Sequence, residues 1–276
     1  GESAEIQALR ARANAGDAYA QWKLGWAYDK GQGVPQDYGQ AANWYGKAAN
    51  QGLIIAQVNL GWLYEWGEGI SQDYGEAASW YRKAAEHGHD VAQFFLGQLY
   101  EEGQGVAQNY GEAANWYRKA AEQGLDLAQF RIGIMSYDGK GFPQDYGQAA
   151  IWFRKAAEQG YEDAQFNLGV MYDTGKGVPQ DYGQAVIWYR KAAEQGNTVA
   201  QSNLGSMYFN GQGVPRDYET AHVWFNLSAA HSTGDDQKRR ASARDDAEKK
   251  LTPAQLASAQ RRAREWQEAF DKRSGK

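Results

Sequence analysis

Residues 163–196 read DAQFNLGVMYDTGKGVPQDYGQAVIWYRKAAEQG, and variants of this line occur six times along a chain of 276 residues. A shift of 36 positions lays the sequence on itself. Gln21, Gln57, Gln93, Gln129, Gln165 and Gln201 share one phase. Gly25, Gly61, Gly97, Gly133, Gly169 and Gly205 share a second, and Trp44, Trp80, Trp116, Trp152, Trp188 and Trp224 a third. A period of this length marks stacked repeats, in which each unit buries its apolar face only against its neighbours. Such arrays offer long surfaces to partners, and few of them carry chemistry.

Within a unit the spacing predicts two helices, A and B. In the first copy A spans about 17–29 and B about 38–50. Ala20, Leu24 and Tyr28 form one stripe of A, with Gly25 beside it. A mid-helix glycine costs about 1 kcal/mol against alanine, so its return in every copy predicts a close helix crossing. Gly31 and Gly33 end A. Asp37 is placed as the N-cap of B, with Gln40 three residues on, a capping-box pattern. Asp73/Glu76, Asn109/Glu112, Asp145/Gln148 and Asp181/Gln184 repeat it, and Asp217/Thr220 is expected to lose the second partner. In B, Ala41, Trp44, Tyr45, Ala48 and Ala49 make the apolar face. Lys83, Lys119, Lys155 and Lys191 sit near its C-terminal end, where a cation suits the helix dipole.

The two ends differ from the body. Residues 3–14 read as a degenerate helix B, closed by Gly16 and capping the first copy. Beyond the sixth copy the phase is lost in the charged stretch 235–250. Thr252 and Pro253 then start a helix whose Leu256, Ala259, Ala263, Trp266 and Phe270 are spaced to cover repeat six. The expected divisions are 1–16 (cap), 17–52, 53–88, 89–124, 125–160, 161–196 and 197–232 (repeats), and 233–276 (charged segment and capping helix).

Composition narrows the function. With no cysteine there is no disulfide framework and no thiolate chemistry. No apolar run reaches the roughly 18 residues of a membrane helix, so no integral membrane segment is expected. No signal peptide is visible, and a chain opening Gly-Glu-Ser reads as a mature or trimmed product. Residues 1–234 carry 17 Lys/Arg against 26 Asp/Glu, whereas 235–276 carry 12 against 8. An acidic body argues against nucleic acid, whose binding rests on neutralised phosphates.

The repeated motifs carry a family resemblance. AQWKLGWAY at 20–28, AQFNLGVMY at 164–172, GKGVPQDY at 175–182 and AVIWYRKAAEQG at 185–196 resemble the Sel1-like repeat, a relative of the tetratricopeptide repeat. HVWFNLSAA and LTPAQLASAQ resemble the closing segments of bacterial members. Three positions depart from the pattern: Ser136 replaces the helix A Tyr, and Ser71 and Ala107 replace the turn Pro. The resemblance implies an all-α, right-handed superhelical solenoid of six helix pairs with a capping helix at each end. It implies a non-enzymatic scaffold or adaptor whose A helices line a concave groove. It leaves the compartment open, with a bacterial periplasmic or secreted setting favoured over the cytoplasm.

Individuality should lie where the copies differ on A. The first variable column reads Trp22, Val58, Phe94, Phe130, Phe166, Ser202. The second reads Trp26, Trp62, Gln98, Ile134, Val170, Ser206. The third reads Asp29, Glu65, Glu101, Tyr137, Asp173, Phe209, and the fourth Lys30, Trp66, Glu102, Asp138, Thr174, Asn210. Of 11 Trp, six are in phase in B, one is Trp266, and the other four cluster at Trp22, Trp26, Trp62 and Trp66. Aromatics rimmed by acids predict a recognition surface for another protein, a peptide or helix carrying apolar and basic residues. The expected contact set is Trp22, Trp26, Asp29, Trp62, Glu65, Trp66, Phe94, Gln98, Glu101, Glu102, Phe130, Ile134, Tyr137, Asp138 and Asp173. Packing between helices is the competing reading for Trp22 and its equivalents.

Chemistry has little to stand on. His87 and His89 could form two ligands of a metal site, but no third is in sight, so neither metal nor cofactor is expected. His222 and His231 stand alone, and no S-x-x-K nucleophile arrangement occurs, which disfavours a hydrolase. A helical-repeat reader of single-stranded RNA needs a basic groove, which the acids oppose. A self-associating solenoid is the remaining alternative, and caps at both ends argue for a monomer. The Gln21 column reads as a backbone or interhelix hydrogen bonder.

Overall fold

The computed structural model describes residues 3–275 and, among them, fifteen α-helices and no strand. The chain divides near residue 144 into two compact units. The first holds α1 (Ala4–Asn14), α2 (Ala18–Lys30), α3 (Tyr38–Asn50), α4 (Ile54–Trp66), α5 (Tyr74–Glu86), α6 (Asp90–Glu102), α7 (Tyr110–Glu122) and α8 (Asp126–Asp138). The second holds α9 (Tyr146–Glu158), α10 (Glu162–Thr174), α11 (Tyr182–Glu194), α12 (Thr198–Asn210), α13 (Tyr218–Ala230), α14 (Gly234–Glu248) and α15 (Pro253–Ser274). From α1 to α8 and from α9 to α14 each helix packs on the next, the contact pattern of an all-α solenoid, and α15 returns to pack on α13.

The glycine column explains how closely A and B approach. A Cβ on Gly25 would lie 2.7 Å from the Tyr45 ring, and one on Gly61 would lie 2.8 Å from Tyr81. Gly97 against Tyr117, Gly169 against Tyr189 and Gly205 against Phe225 repeat the arrangement. The aromatic ring of B therefore sits in the notch left by the missing side chain of A. The predicted N-caps form: Asp37 accepts from the Gln40 amide, and the other five B helices are capped in the same way. The second half of the expected capping box does not form, because the N-cap amide is taken by a carbonyl of the preceding helix A: Asp37 donates to Tyr28 at 3.0 Å, and Asp73, Asn109, Asp181 and Asp217 to Tyr64, Tyr100, Tyr172 and Tyr208 at 2.9 Å. In the sixth copy Thr220 donates its hydroxyl to the Asp217 carboxylate at 2.6 Å instead. The basic residues expected to serve the helix dipole do more. Lys47, Lys83, Lys119, Lys155 and Lys191 each lie over the Trp three residues earlier, 3.8–4.5 Å from the ring centre.

The glutamine column is the fastener between repeats. Gln57 Nε2 reaches the Ala49 carbonyl of the preceding B helix at 3.3 Å, and Gln93, Gln165 and Gln201 do the same at 3.1 Å. Gln21 reaches Ala13 of α1 at 3.1 Å, so α1 occupies the place of a helix B, as its sequence predicts. At the other end Thr252 and Gln255 form a reciprocal capping box. Trp266 packs edge-on against Trp224, and Phe270 reaches Gly196, so α15 covers repeat six.

One element lies outside the repeat pattern. The charged stretch after repeat six is helical as α14 and packs on α13. It lacks an apolar periodicity, and its ion pairs Lys238–Asp235, Arg239–Asp236 and Lys249–Asp246 are exposed. The helix is held by small side chains: Ala247 is fully buried beside Ala221 and Phe225. Under α14 lies His222, buried with neither ring nitrogen hydrogen-bonded and with Glu248 Oε2 3.8 Å away. Burial holds its pKa below the usual histidine value, and Arg244 adds to that; Glu248 and Asp245 oppose it.

Candidate functional site

The accessible stripe of the A helices is not quite the one expected. The first column lies at its edge, and the third faces inward. Asp29 and Glu65 are only 5% and 7% exposed. Each accepts a hydrogen bond from the ring hydroxyl of its own helix B, Tyr45 to Asp29 at 3.1 Å and Tyr81 to Glu65 at 2.6 Å. Tyr117 donates to Glu101 at 2.7 Å and Tyr189 to Asp173 at 3.1 Å. The assignment of Asp29 and Glu65 to a solvent-facing surface is therefore corrected: they are interior acceptors, and Glu101 and Asp173 are half-buried partners of the same kind. Burial and the adjacent carboxylate push the Tyr45, Tyr81, Tyr117 and Tyr189 phenols well above their ordinary range. Burial likewise pushes the Glu65 carboxyl up; the Tyr81 hydroxyl opposes this, and nearby Glu102 adds to it.

A signal for this existed in the sequence. Where the hydroxyl is absent, at Phe153 and Phe225, the acid is absent too, replaced by Tyr137 and Phe209. In the sixth repeat the two rings pack instead, with centroids 6.5 Å apart. The acid column varies as half of an interior pair.

The second and fourth columns do reach solvent in the first two repeats. Trp66 is 60% exposed and Trp26 37%, and Trp62 is half-buried with its ring 6.2 Å from that of Trp66. Trp22 is half-buried and committed: its indole N–H donates to Asn59 of the next A helix at 2.9 Å, which ties the repeats together. Phe94 packs on Phe95 and Tyr117. Phe130, Ile134 and Tyr137 are half-buried, as is Gln98, which donates to Glu102 at 3.0 Å. Glu102 and Asp138 stay exposed, the latter 3.7 Å from Lys140.

Two further columns belong to the accessible stripe. Tyr19, Ile55, Leu127 and Val199 are 40–51% exposed at the start of their helices. Lys23, one turn on, lies over the Tyr19 ring at 5.1 Å, and Arg131 pairs with Glu101 at 3.2 Å. Helical spacing places 19, 23, 26 and 30 on one face, so this face was open to inspection from the sequence. At its N-terminal end Tyr19, Trp22, Lys23 and Trp26 join Ile6 and Leu9 of α1 around a cavity of about 440 Å³.

Among the described residues no group of three His, Asp or Glu could hold a metal ion, and no helix is long and apolar enough to cross a membrane. His87 and His89 serve their own helices: His87 Nδ1 meets the Lys83 carbonyl at 2.7 Å, and His89 caps α6.

Six consecutive stretches, 18–53, 54–89, 90–125, 126–161, 162–197 and 198–232, match the family model described as the Sel1 repeat. Among solved structures the chain is similar to a protective antigen of uropathogenic Escherichia coli strains that displays an SLR fold. The identity is 38% and the TM-score 0.84, over 94% of this chain and 56% of that one. It is also similar to a Sel1 repeat protein from Oxalobacter formigenes, at 40% identity and a TM-score of 0.66, over 76% of this chain and 84% of that one. The chain thus spans a little over half the length of the first of these proteins. No curated protein matches it.

Proposed function

This chain belongs to the Sel1 repeat family, whose repeats mediate protein–protein interaction, and from that premise we propose that its first two repeats bind a protein segment along their A helices. The reading rests on one observation: Trp26, Trp62, Trp66 and Tyr19 form an aromatic surface that the same columns of later repeats lack. Large rigid aromatics left in water are the side chains that dominate binding energy when a partner covers them. The partner is a peptide or helix with apolar anchors for this surface. Basic residues on it would meet Glu102 and Asp138, whose carboxylates add orientation and association rate. Asp29 and Glu65 have no part in contact. No catalysis is assigned, and the protein acts as a monomer.

The test is capture of binding proteins by the parent chain and by a Trp26/Trp62/Trp66→Ala variant, after circular dichroism shows that the variant is folded. Trp22 is left in place because its bond to Asn59 joins two repeats. A protein retained by the parent and lost by the variant supports the reading. Equal retention by both would sink it.

A further inference from the structure

A clamp that ties helix B to the next helix A forms at four junctions and fails at two: before the fourth repeat Ser136 replaces the tyrosine and Arg118 lies over the Phe142 ring at 5.5 Å, and before the second repeat the arginine is lost. Arg10 of α1 donates to the Tyr28 hydroxyl at 2.8 Å and lies 5.7 Å from the ring centre. Arg82 treats Tyr100 in the same way, at 2.6 Å and 5.8 Å. Arg154 and Arg190 repeat it on Tyr172 and Tyr208. Between the first and second repeats the tyrosine is kept, as Tyr64, but Gly46 stands where the arginine belongs. No side chain among the described residues bonds the Tyr64 hydroxyl.

Packing does not require this glycine. A Cβ on Gly46 would meet no atom within 4 Å, unlike the crowded Gly25 and Gly61. Its φ is not positive, so the backbone does not require it either. A cavity of about 420 Å³ lined by Gly46, Tyr64, Leu60, Trp80, Asn43 and Asn50 lies at this junction; the equivalent cavity beside Arg82 and Tyr100, of about 600 Å³, holds its guanidinium, so what the glycine removes is the cation and not the wall. We infer that this socket binds an arginine side chain supplied by a partner protein. A ring face and a phenol oxygen are the two groups that a guanidinium engages at the four clamped junctions, and its planar fork meets both at once. Lysine is a poorer fit, a point charge with no fork, and the local Lys47 is already placed over Trp44 at 4.0 Å. The unit carries 17 Asp/Glu against 11 Lys/Arg in residues 1–144, which favours a cationic visitor. This goes beyond the aromatic stripe, because Tyr64 lies on the side of α4 away from Trp62 and Trp66.

The experiment titrates the intact protein with N-acetyl-arginine amide and, separately, N-acetyl-lysine amide, following the Trp80 indole signal by NMR. The arginine probe is expected to shift that signal along a saturating curve in the millimolar range, at least tenfold more tightly than the lysine probe. Gly46→Arg, which fills the socket, should abolish the shift and raise the melting temperature. Gly46→Ala and the triple Trp variant should keep the shift, which separates this site from the aromatic stripe. Should Gly46→Arg fail to fold, Tyr64→Phe, which removes the phenol oxygen, must weaken the arginine shift. No shift, equal shifts from both probes, or a shift that survives Gly46→Arg would overturn the inference. So would a dimer that Gly46→Arg dissolves, since the occupant would then be a second copy.

Discussion

The second and fifth repeats share an interior and differ on their surface. Gln57, Leu60, Gly61 and Tyr81 recur as Gln165, Leu168, Gly169 and Tyr189; both glutamines donate to a carbonyl of the preceding helix B, and both glycines seat a tyrosine ring. Trp62 and Trp66 recur as Val170 and Thr174. The interior of a repeat is set by what its neighbours require, which is the same in every copy. The surface is free of that demand, so a difference there points to something outside the chain. The comparison fails if interior changes have unequal effects in the two repeats, or if the surface difference has no consequence.

The largest effect is expected from the shared interior. Gly61→Val and Gly169→Val each drive carbon into a tyrosine ring where even a Cβ would sit at 2.8 or 2.7 Å. Each should cost about 3 kcal/mol in chemical denaturation, by overpacking. A cost confined to one repeat would break the equivalence. The surface comes next. Trp66→Ala removes a side chain 60% exposed and should change stability by less than about 0.5 kcal/mol while weakening partner binding by about 2 kcal/mol. Thr174→Ala should change neither.

How much of this was legible depended on whether a residue's reason lay inside its own repeat. The period, the glycine notch, the glutamine fastener, the Asp37 caps and the Thr252 start all follow from local spacing, and each appears as expected. The acids did not, because a column that varies with an interior partner looks the same along the chain as one that varies in solvent. Asp29 and Glu65 vary together with the hydroxyl on Tyr45 and Tyr81, so the column needed to be read beside its partner column. Helix α14 was hidden because its docking rests on Ala243 and Ala247, which leave no apolar stripe in a run of charges. His87 and His89 drew attention as possible ligands, whereas the consequence of His87 lies 30 residues earlier in the chain.

That consequence sharpens the comparison. In the fifth repeat Gln165 is satisfied at both ends: its Nε2 donates to the Ala157 carbonyl at 3.1 Å, and its Oε1 accepts from Gln195 at 2.8 Å. In the second repeat the position of Gln195 is held by His87, which turns to the Lys83 carbonyl, and Gln57 Oε1 is buried with no partner. His87→Gln should complete the ladder and stabilise the protein by about 1 kcal/mol, measured by thermal melting. Gln195→His should cost a similar amount. If His87→Gln gives no gain, Gln57 is satisfied by water, and the two repeats are equally well fastened.

The smallest effect separates the two repeats by pH. Glu65 is buried, whereas its counterpart Asp173 is only half-buried. Burial, with Glu102 nearby, raises the folded pKa of Glu65 above its unfolded value. The folded state then holds its proton more readily than the unfolded one, so this group's contribution to stability falls as pH rises from the unfolded carboxylate value through the folded one. Glu65→Gln removes the titration and keeps an oxygen for the Tyr81 hydroxyl. The variant should be more stable than the parent at pH 7, by less than about 1 kcal/mol, with the difference fading below about pH 4, where the parent is protonated in both states. Melting curves across that range decide it. A variant less stable at pH 7 would mean that the 2.6 Å bond from Tyr81 to a charged Glu65 outweighs burial and the repulsion of Glu102. The acid would then be retained in repeat two for the same reason as in repeat five.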